Sequence, residues 1–146
     1  MSSGVTEAAG AEVRARLDKL VKSLCFLPEG DERLRFLLQI GKKFPPMDEA
    51  LKTDDRLLPG CISRLWIDAR FVDGRSQFQM DAEAAISKGI AAAVCGLYEG
   101  QTPEDILAVE PDFFGPAGLT SLISPNRVNA LSSLRRFIVA RAQEQK

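Results

Sequence analysis

Apolar positions along the chain recur first with helical spacing, then alternate, then return to helical spacing. Between Glu12 and Leu24, the residues Val13, Leu17, Leu20, Val21 and Leu24 form one helical stripe. Pro28-Glu29-Gly30 breaks it. Asp31 is placed to cap a second helix in which Leu34, Leu37, Leu38 and Phe44 share a face, and Pro45-Pro46 ends that helix. Lys52 to Leu58 is mixed and reads as a short edge strand leading into Pro59-Gly60. From Ser63 to Phe71 the period falls to two: Leu65, Ile67, Ala69 and Phe71 point one way, Arg64, Trp66, Asp68 and Arg70 the other. Asp73-Gly74 is a hairpin signal, because both residues tolerate positive φ, and Ser76 to Met80 supplies the returning strand.

Asp81 then reads as the cap of a long helix with Ile86, Gly89, Ile90, Ala93, Val94 and Leu97 on one face, ended by Gly100. Thr102-Pro103-Glu104-Asp105 combines a capping hydroxyl, a first-turn proline and first-turn acids, the signature of a helix start. Phe113 and Phe114 anchor the connection that follows. Ser124-Pro125-Asn126 opens a last helix with Val128, Leu131, Leu134 and Ile138 as its buried stripe. Helices, an antiparallel hairpin and more helices predict a single α+β domain with helices packed on a small antiparallel sheet. No internal repeat or linker divides it. Met1 to Gly10, small and polar with no basic start, reads as a flexible lead-in rather than a secretory signal, leaving residues 11–146 as the domain.

Composition narrows the chemistry. The 146 residues are 45% hydrophobic, enough for one real core. A net charge of −1 gives no global case for nucleic acid or an anionic membrane, and no apolar run approaches the ~20 residues of a bilayer span. The charge is nonetheless polarised. Gly89 to Asn126 carries five acids and no Lys or Arg, whereas Arg127 to Lys146 carries five basic residues and one acid. An ordinary solvated surface with a basic helix C-terminus accounts for this, and complementary docking against a partner is the other reading.

The chain has no histidine, so Ser-His and Cys-His catalysis is excluded. Its three cysteines, Cys25, Cys61 and Cys95, are odd in number and widely spaced, which argues for a reducing compartment over a disulfide framework. A zinc site would need all three thiols plus a carboxylate or water. Cys95 and Cys25 fall within or near the end of apolar helices and read as buried filler. Cys61 differs. Pro59-Gly60 places it at a tight turn before a strand, with Arg56 and Arg64 nearby in sequence, loop N–H groups to favour a thiolate, and Ser63 as a hydrogen-bond donor. The residues alone leave two readings of Cys61 open: a reactive nucleophile, or a small inert core residue.

The Gly60-Cys61-x-Ser63-x-x-Trp66 motif resembles the signature of the SufE family of sulfur-acceptor proteins, which serve iron–sulfur cluster assembly. Further matches follow in order: Gly41-Lys42 with Phe44-Pro45-Pro46, Asp81-Ala82-Glu83-Ala84-Ala85-Ile86 to Lys88-Gly89, Leu97-Tyr98 with Thr102-Pro103-Glu104-Asp105-Ile106, and Leu119 with Ser124-Pro125-Asn126-Arg127. The resemblance covers about residues 15 to 142. It implies a compact α+β fold shared with the U-type iron–sulfur scaffolds. It also implies that Cys61 takes sulfur from a persulfide on a PLP-dependent cysteine desulfurase, stimulates that enzyme, and passes the sulfur on to a scaffold. The chain would then be a cytoplasmic sulfur-transfer protein rather than a free-standing enzyme, a monomer or weak homodimer. It would have no cofactor or metal of its own, only a transient persulfide on Cys61, the PLP belonging to the partner. The same family tucks the cysteine's sulfur into an apolar pocket until the partner docks.

Supporting loop and partner-binding candidates are Gly60, Ser63, Arg64, Trp66, Asp81, Glu83 and Arg127. Arg127 has two readings, one as an anion-stabilising neighbour of the cysteine loop and the other as a helix-start arginine paired with Asp112 or Asp81. Glu83 reads as a first-turn dipole partner or a partner contact, and Trp66 as packing more than recognition. The chain departs from the family's usual Gln at Ile62, and from its Gly-Asp-Ser-Asp at Met80-Asp81-Ala82-Glu83. These differences leave the nucleophile intact and bear on partner choice and on the loop's hydrogen bonding. Two rivals remain: a U-type scaffold, which needs several ligands converging on a metal, and a non-catalytic adaptor, for which Cys61 is dispensable.

Overall fold

The computed structural model describes residues 9–59 and 63–145. Its elements run α1 (Ala11–Phe26), α2 (Gly30–Lys43), two short 3₁₀ turns (Glu49–Leu51 and Asp54–Arg56), β1 (Leu65–Val72), β2 (Arg75–Ala82), α3 (Ala85–Tyr98), α4 (Pro103–Ala108) and α5 (Pro125–Glu144). The α+β architecture expected from the periodicities is the one found. Residues 1–8 of the expected lead-in lie outside the described residues. Its last residue, Gly10, is buried and donates its N–H to Asp105 Oδ1 at 2.8 Å.

The hairpin follows its turn chemistry. Asp73 and Gly74 both have positive φ, 53° and 77°, and antiparallel pairing runs from Val72 opposite Arg75 to Leu65 opposite Ala82. Two central residues at positive φ match the right-handed twist of the strands they join. Alternation then sends Leu65, Ile67, Phe78 and Met80 inward, all buried. Burying side chains of this size is worth about 1.5–3 kcal/mol each. β2 packs on α3, which is buried along nearly its whole length. Ser76 fastens the far end of this layer, donating its hydroxyl to Tyr98 O at 2.5 Å and accepting from Gln101 N at 3.0 Å.

α2 crosses α3 at two glycines. A Cβ on Gly41 would stand 2.9 Å from Gly89 N, and one on Gly89 would stand 2.8 Å from the Leu37 carbonyl carbon, so the backbones meet with no room for side chains. α5 closes the other side with Ala130, Leu134, Ile138 and Ala142 buried, while Val128 and Leu131 are only partly covered. Phe113 and Phe114 are both buried, edge to face at 4.9 Å, and anchor the segment before α5 as expected.

Four local expectations are corrected. α2 is capped by Glu29 rather than Asp31: its side chain and that of Glu32 form a reciprocal capping box, which takes up two orphan N–H groups at once. Asp81 does not cap α3. It belongs to β2, its carboxylate accepting from Ala82 N at 2.8 Å, and α3 begins four residues later with Ala84 at the cap position. The stretch from Lys52 to Leu58 forms a 3₁₀ turn and a single bridge, Leu57 to Trp66, rather than a strand. Cys95 is buried as expected, but Cys25 is exposed, its thiol 3.4 Å from the Pro116 carbonyl.

Candidate functional site

Gly60, Cys61 and Ile62 lie outside the described residues, so the site is built from what holds the loop on either side. Its two stems are paired. Leu58 N donates to Leu65 O at 2.8 Å, and Leu57 bridges Trp66, so the chain on either side of residues 60–62 is pinned together. The returning end is clasped a second time. Glu83 N donates to Arg64 O at 2.9 Å, and Arg64 N donates back to Glu83 Oε1 at 3.0 Å. Glu83 thus lies just beyond β2, and the structure gives it a tether at the loop's exit in place of the expected first-turn position. The Arg64 side chain is exposed.

A hollow of about 200 Å³ opens at Ser63, where the loop meets the starts of α3 and α5. Ser63, Ser87, Ser124, Asn126 and Arg127 line it, with Ala84 and Ala130 as the small residues between. Arg127 enters from the first turn of α5. Its Nε is buried with no hydrogen-bond partner among the described residues. The alternative pairing with Asp81 or Asp112 is not made there, since Asp81 is engaged by Lys52 at 2.7 Å and Lys88 at 3.2 Å, and Asp112 lines a different hollow. A guanidinium among hydroxyl and amide groups is an environment that favours anions, including a thiolate. The apolar pocket expected for the sulfur rests on Cys61 itself and falls outside the described residues. The hollow at Ser63 combines polar groups with the apolar surface of Ala84 and Ala130.

Trp66 and Asp81 face each other across the hairpin. Lys52 Nζ lies 5.5 Å from the indole ring centre and bonds to both Asp81 and Glu49, so Trp66 is half-buried beneath a cation, in line with a packing role. The hydrogen bonds that its ammonium donates to Asp81 and then Glu49 hold Lys52 above its ordinary range. For Asp81, partial burial pushes the carboxyl up, but the bonds from Lys52, the Ala82 N–H and Lys88 together hold it below the usual carboxylate value. Of the sequence candidates, Ser63 and Arg127 therefore converge on one hollow, Arg64 and Glu83 clasp its loop, and Trp66 and Asp81 form the adjoining brace. Sequence reasoning missed Ser87 and Lys52. Ser87 is a hydroxyl set in an otherwise apolar helix, which was the available signal; nothing in the pattern marked Lys52.

Burial drives the Cys95 thiol far above its ordinary range, which removes it as a nucleophile. Among the described residues, no three His, Cys, Asp or Glu side chains come together as metal ligands, and no helix is long and apolar enough to cross a membrane.

Comparison with known proteins places this arrangement. The family model described as SufE, the Fe-S metabolism associated domain, matches residues 18–142. An uncharacterised SufE-like protein of Rhizobium meliloti is 31% identical over 134 residues, covering 87% of this chain and 94% of that one. A SufE-like protein of Arabidopsis thaliana, chloroplastic or mitochondrial, is 29% identical over 132 residues, covering 90% of this chain and 36% of its own length. The solution structure of a hypothetical protein from Thermus thermophilus superposes with a TM-score of 0.74 at 22% identity, covering 88% of this chain and 94% of that one, which shows a shared fold. The chain belongs to the SufE family, and with it to iron–sulfur metabolism.

Proposed function

We propose that the protein is a sulfur acceptor: Cys61 takes the outer sulfur of a persulfide carried by a PLP-dependent cysteine desulfurase and delivers it toward iron–sulfur cluster assembly in a reducing, cytoplasmic setting. The observation that carries this reading is the Arg127 Nε, buried with no hydrogen-bond partner among the described residues, in a hollow that also takes Ser63, two positions after Cys61. The Cys61 thiolate attacks the outer sulfur of the donor persulfide. A new S–S bond forms at Cys61 as the donor's S–S bond breaks, and the donor cysteine leaves as a thiolate. No external oxidant or reductant enters, and histidine is not required. Arg127 stabilises the anion at Cys61 before attack and the persulfide anion after it. The Glu83–Arg64 clasp holds the chain at a fixed point three residues after Cys61.

The test is to incubate the protein with a cysteine desulfurase and cysteine, alkylate, and map added sulfur by mass. Sulfur is expected on Cys61 alone, with none in Cys61→Ser and with faster desulfurase turnover in the presence of the wild-type chain. Labelling absent with every desulfurase of the same cell removes the proposal. An unimpaired Cys61→Ser would favour the adaptor, and stoichiometric iron held by Cys61 with a second thiol would favour the scaffold.

A further inference from the structure

A second and larger hollow, about 540 Å³, lies between the segment 110–115 and the middle of α5. Two cations and two carboxylates line it: Arg135, Arg136, Glu110 and Asp112. Among the described residues none of the four makes an ion pair. The Arg135 guanidinium has both Nε and Nη1 buried with no hydrogen-bond partner among the described residues, and it lies 5.6 Å from the centre of the Tyr98 ring. The hydroxyl of that same tyrosine donates to Val109 O at 2.6 Å, which fixes the backbone immediately before Glu110. One buried ring therefore positions a cation on its face and the carboxylate-bearing segment at its tip. Phe114 and Leu131 supply apolar lining.

Charges of both signs held unpaired in one cleft select against simple ions. A plain anion drawn to Arg135 meets Glu110 and Asp112, and a plain cation drawn to those meets the two arginines. A ligand carrying an oxyanion and an ammonium a few ångströms apart answers both. The volume lies within the range of small-molecule sites, and the apolar lining suits a hydrocarbon side chain. We propose that this hollow binds an α-amino acid with an apolar side chain, its carboxylate on Arg135 and its ammonium toward Glu110 and Asp112. Its lining shares no residue with the hollow at Ser63.

Calorimetric titration of the full chain with three probes tests it: L-leucine, 4-methylpentanoate (the same skeleton without the ammonium) and 3-methylbutylamine (without the carboxylate). Leucine should bind saturably, with each analogue at least about tenfold weaker. Glu110→Gln, at an exposed position, should weaken leucine binding while leaving 4-methylpentanoate binding unchanged or tighter. Arg135→Met should weaken both, with its thermal melt reporting whether the fold is retained. Cys61→Ser should bind leucine normally, which separates this site from sulfur transfer. Equal binding of leucine and 4-methylpentanoate would make this a general anion site and overturn the proposal, as would no saturable binding of leucine up to about 10 mM.

Discussion

Helix α3 meets its neighbours in two different ways within three residues. At Gly89 it touches α2 backbone to backbone, without space; at Ser87 it faces a hollow holding the Arg127 guanidinium, whose Nε has no hydrogen-bond partner among the described residues. The first contact leaves nothing unsatisfied and sets where the helices lie. The second leaves a charged group short of a partner, a departure from local stability rules of the kind that marks functional sites. The two should therefore separate under mutation. The largest effect is expected at the seam. Gly89→Ala gains about 1 kcal/mol of helix propensity, yet its methyl would collide with the Leu37 carbonyl, and backbone cannot rotate away. Net destabilisation of about 3 kcal/mol or more should appear in denaturant melts. Gly96, on the same helix with nothing within 4 Å of an added methyl, is the control: Gly96→Ala should stabilise by about 0.5–1 kcal/mol. Equal responses at the two glycines would break the comparison.

The hollow should show the converse, function lost with the fold kept. Arg127→Met removes a half-buried cation whose Nε is buried without a hydrogen-bond partner among the described residues and replaces it with an apolar chain of similar length, so the melting temperature should hold or rise. Sulfur uptake by Cys61 should slow about tenfold, corresponding to ~1.4 kcal/mol of lost anion stabilisation. The pH profile of Cys61 alkylation should move upward, and Arg127→Lys should move it part of the way back. A slower transfer with an unmoved alkylation profile would mean that Arg127 shapes the loop without stabilising the sulfur anion.

Most of the frame was legible because its signals are local. Asp73-Gly74 needs only its own φ angles to make the hairpin, and Thr102-Pro103 caps α4 through an N–H three residues away. Misreadings arose where a residue had two suitable roles and a distant partner decided between them. Asp81 has the chemistry of a helix cap, but Lys52 and Lys88 each claim one of its carboxylate oxygens and keep it in the strand. Cys25 follows the apolar stripe of α1 by one position and turns outward, where the Pro116 carbonyl accepts its thiol. At the site, the motif named Ser63 and Arg127 without saying that they share a hollow. Ser87 joins them only through the α3–α5 packing, which no spacing in the sequence encodes.

Asp81 offers the smallest effect and the finest test, because it braces the rim without lining the hollow. Its carboxyl is held below the ordinary value of 3.8, since the Lys52, Ala82 N–H and Lys88 bonds outweigh the burial that would raise it. A carboxyl bound more tightly as an anion in the folded state than in the unfolded chain stabilises the fold above its unfolded pKa, and that contribution drains away as pH falls through the folded one. Asp81→Asn should therefore melt lower than wild type at pH 7, and the gap should narrow as pH drops below about 4. Thermal melts at pH 7, 5 and 3 measure it. A gap constant across that series would assign the loss to packing around Trp66 instead of charge. A gap that closes would show that the two lysines act through ionised Asp81, one strand residue opposite Trp66 and two before the Glu83 clasp on the loop that carries Cys61.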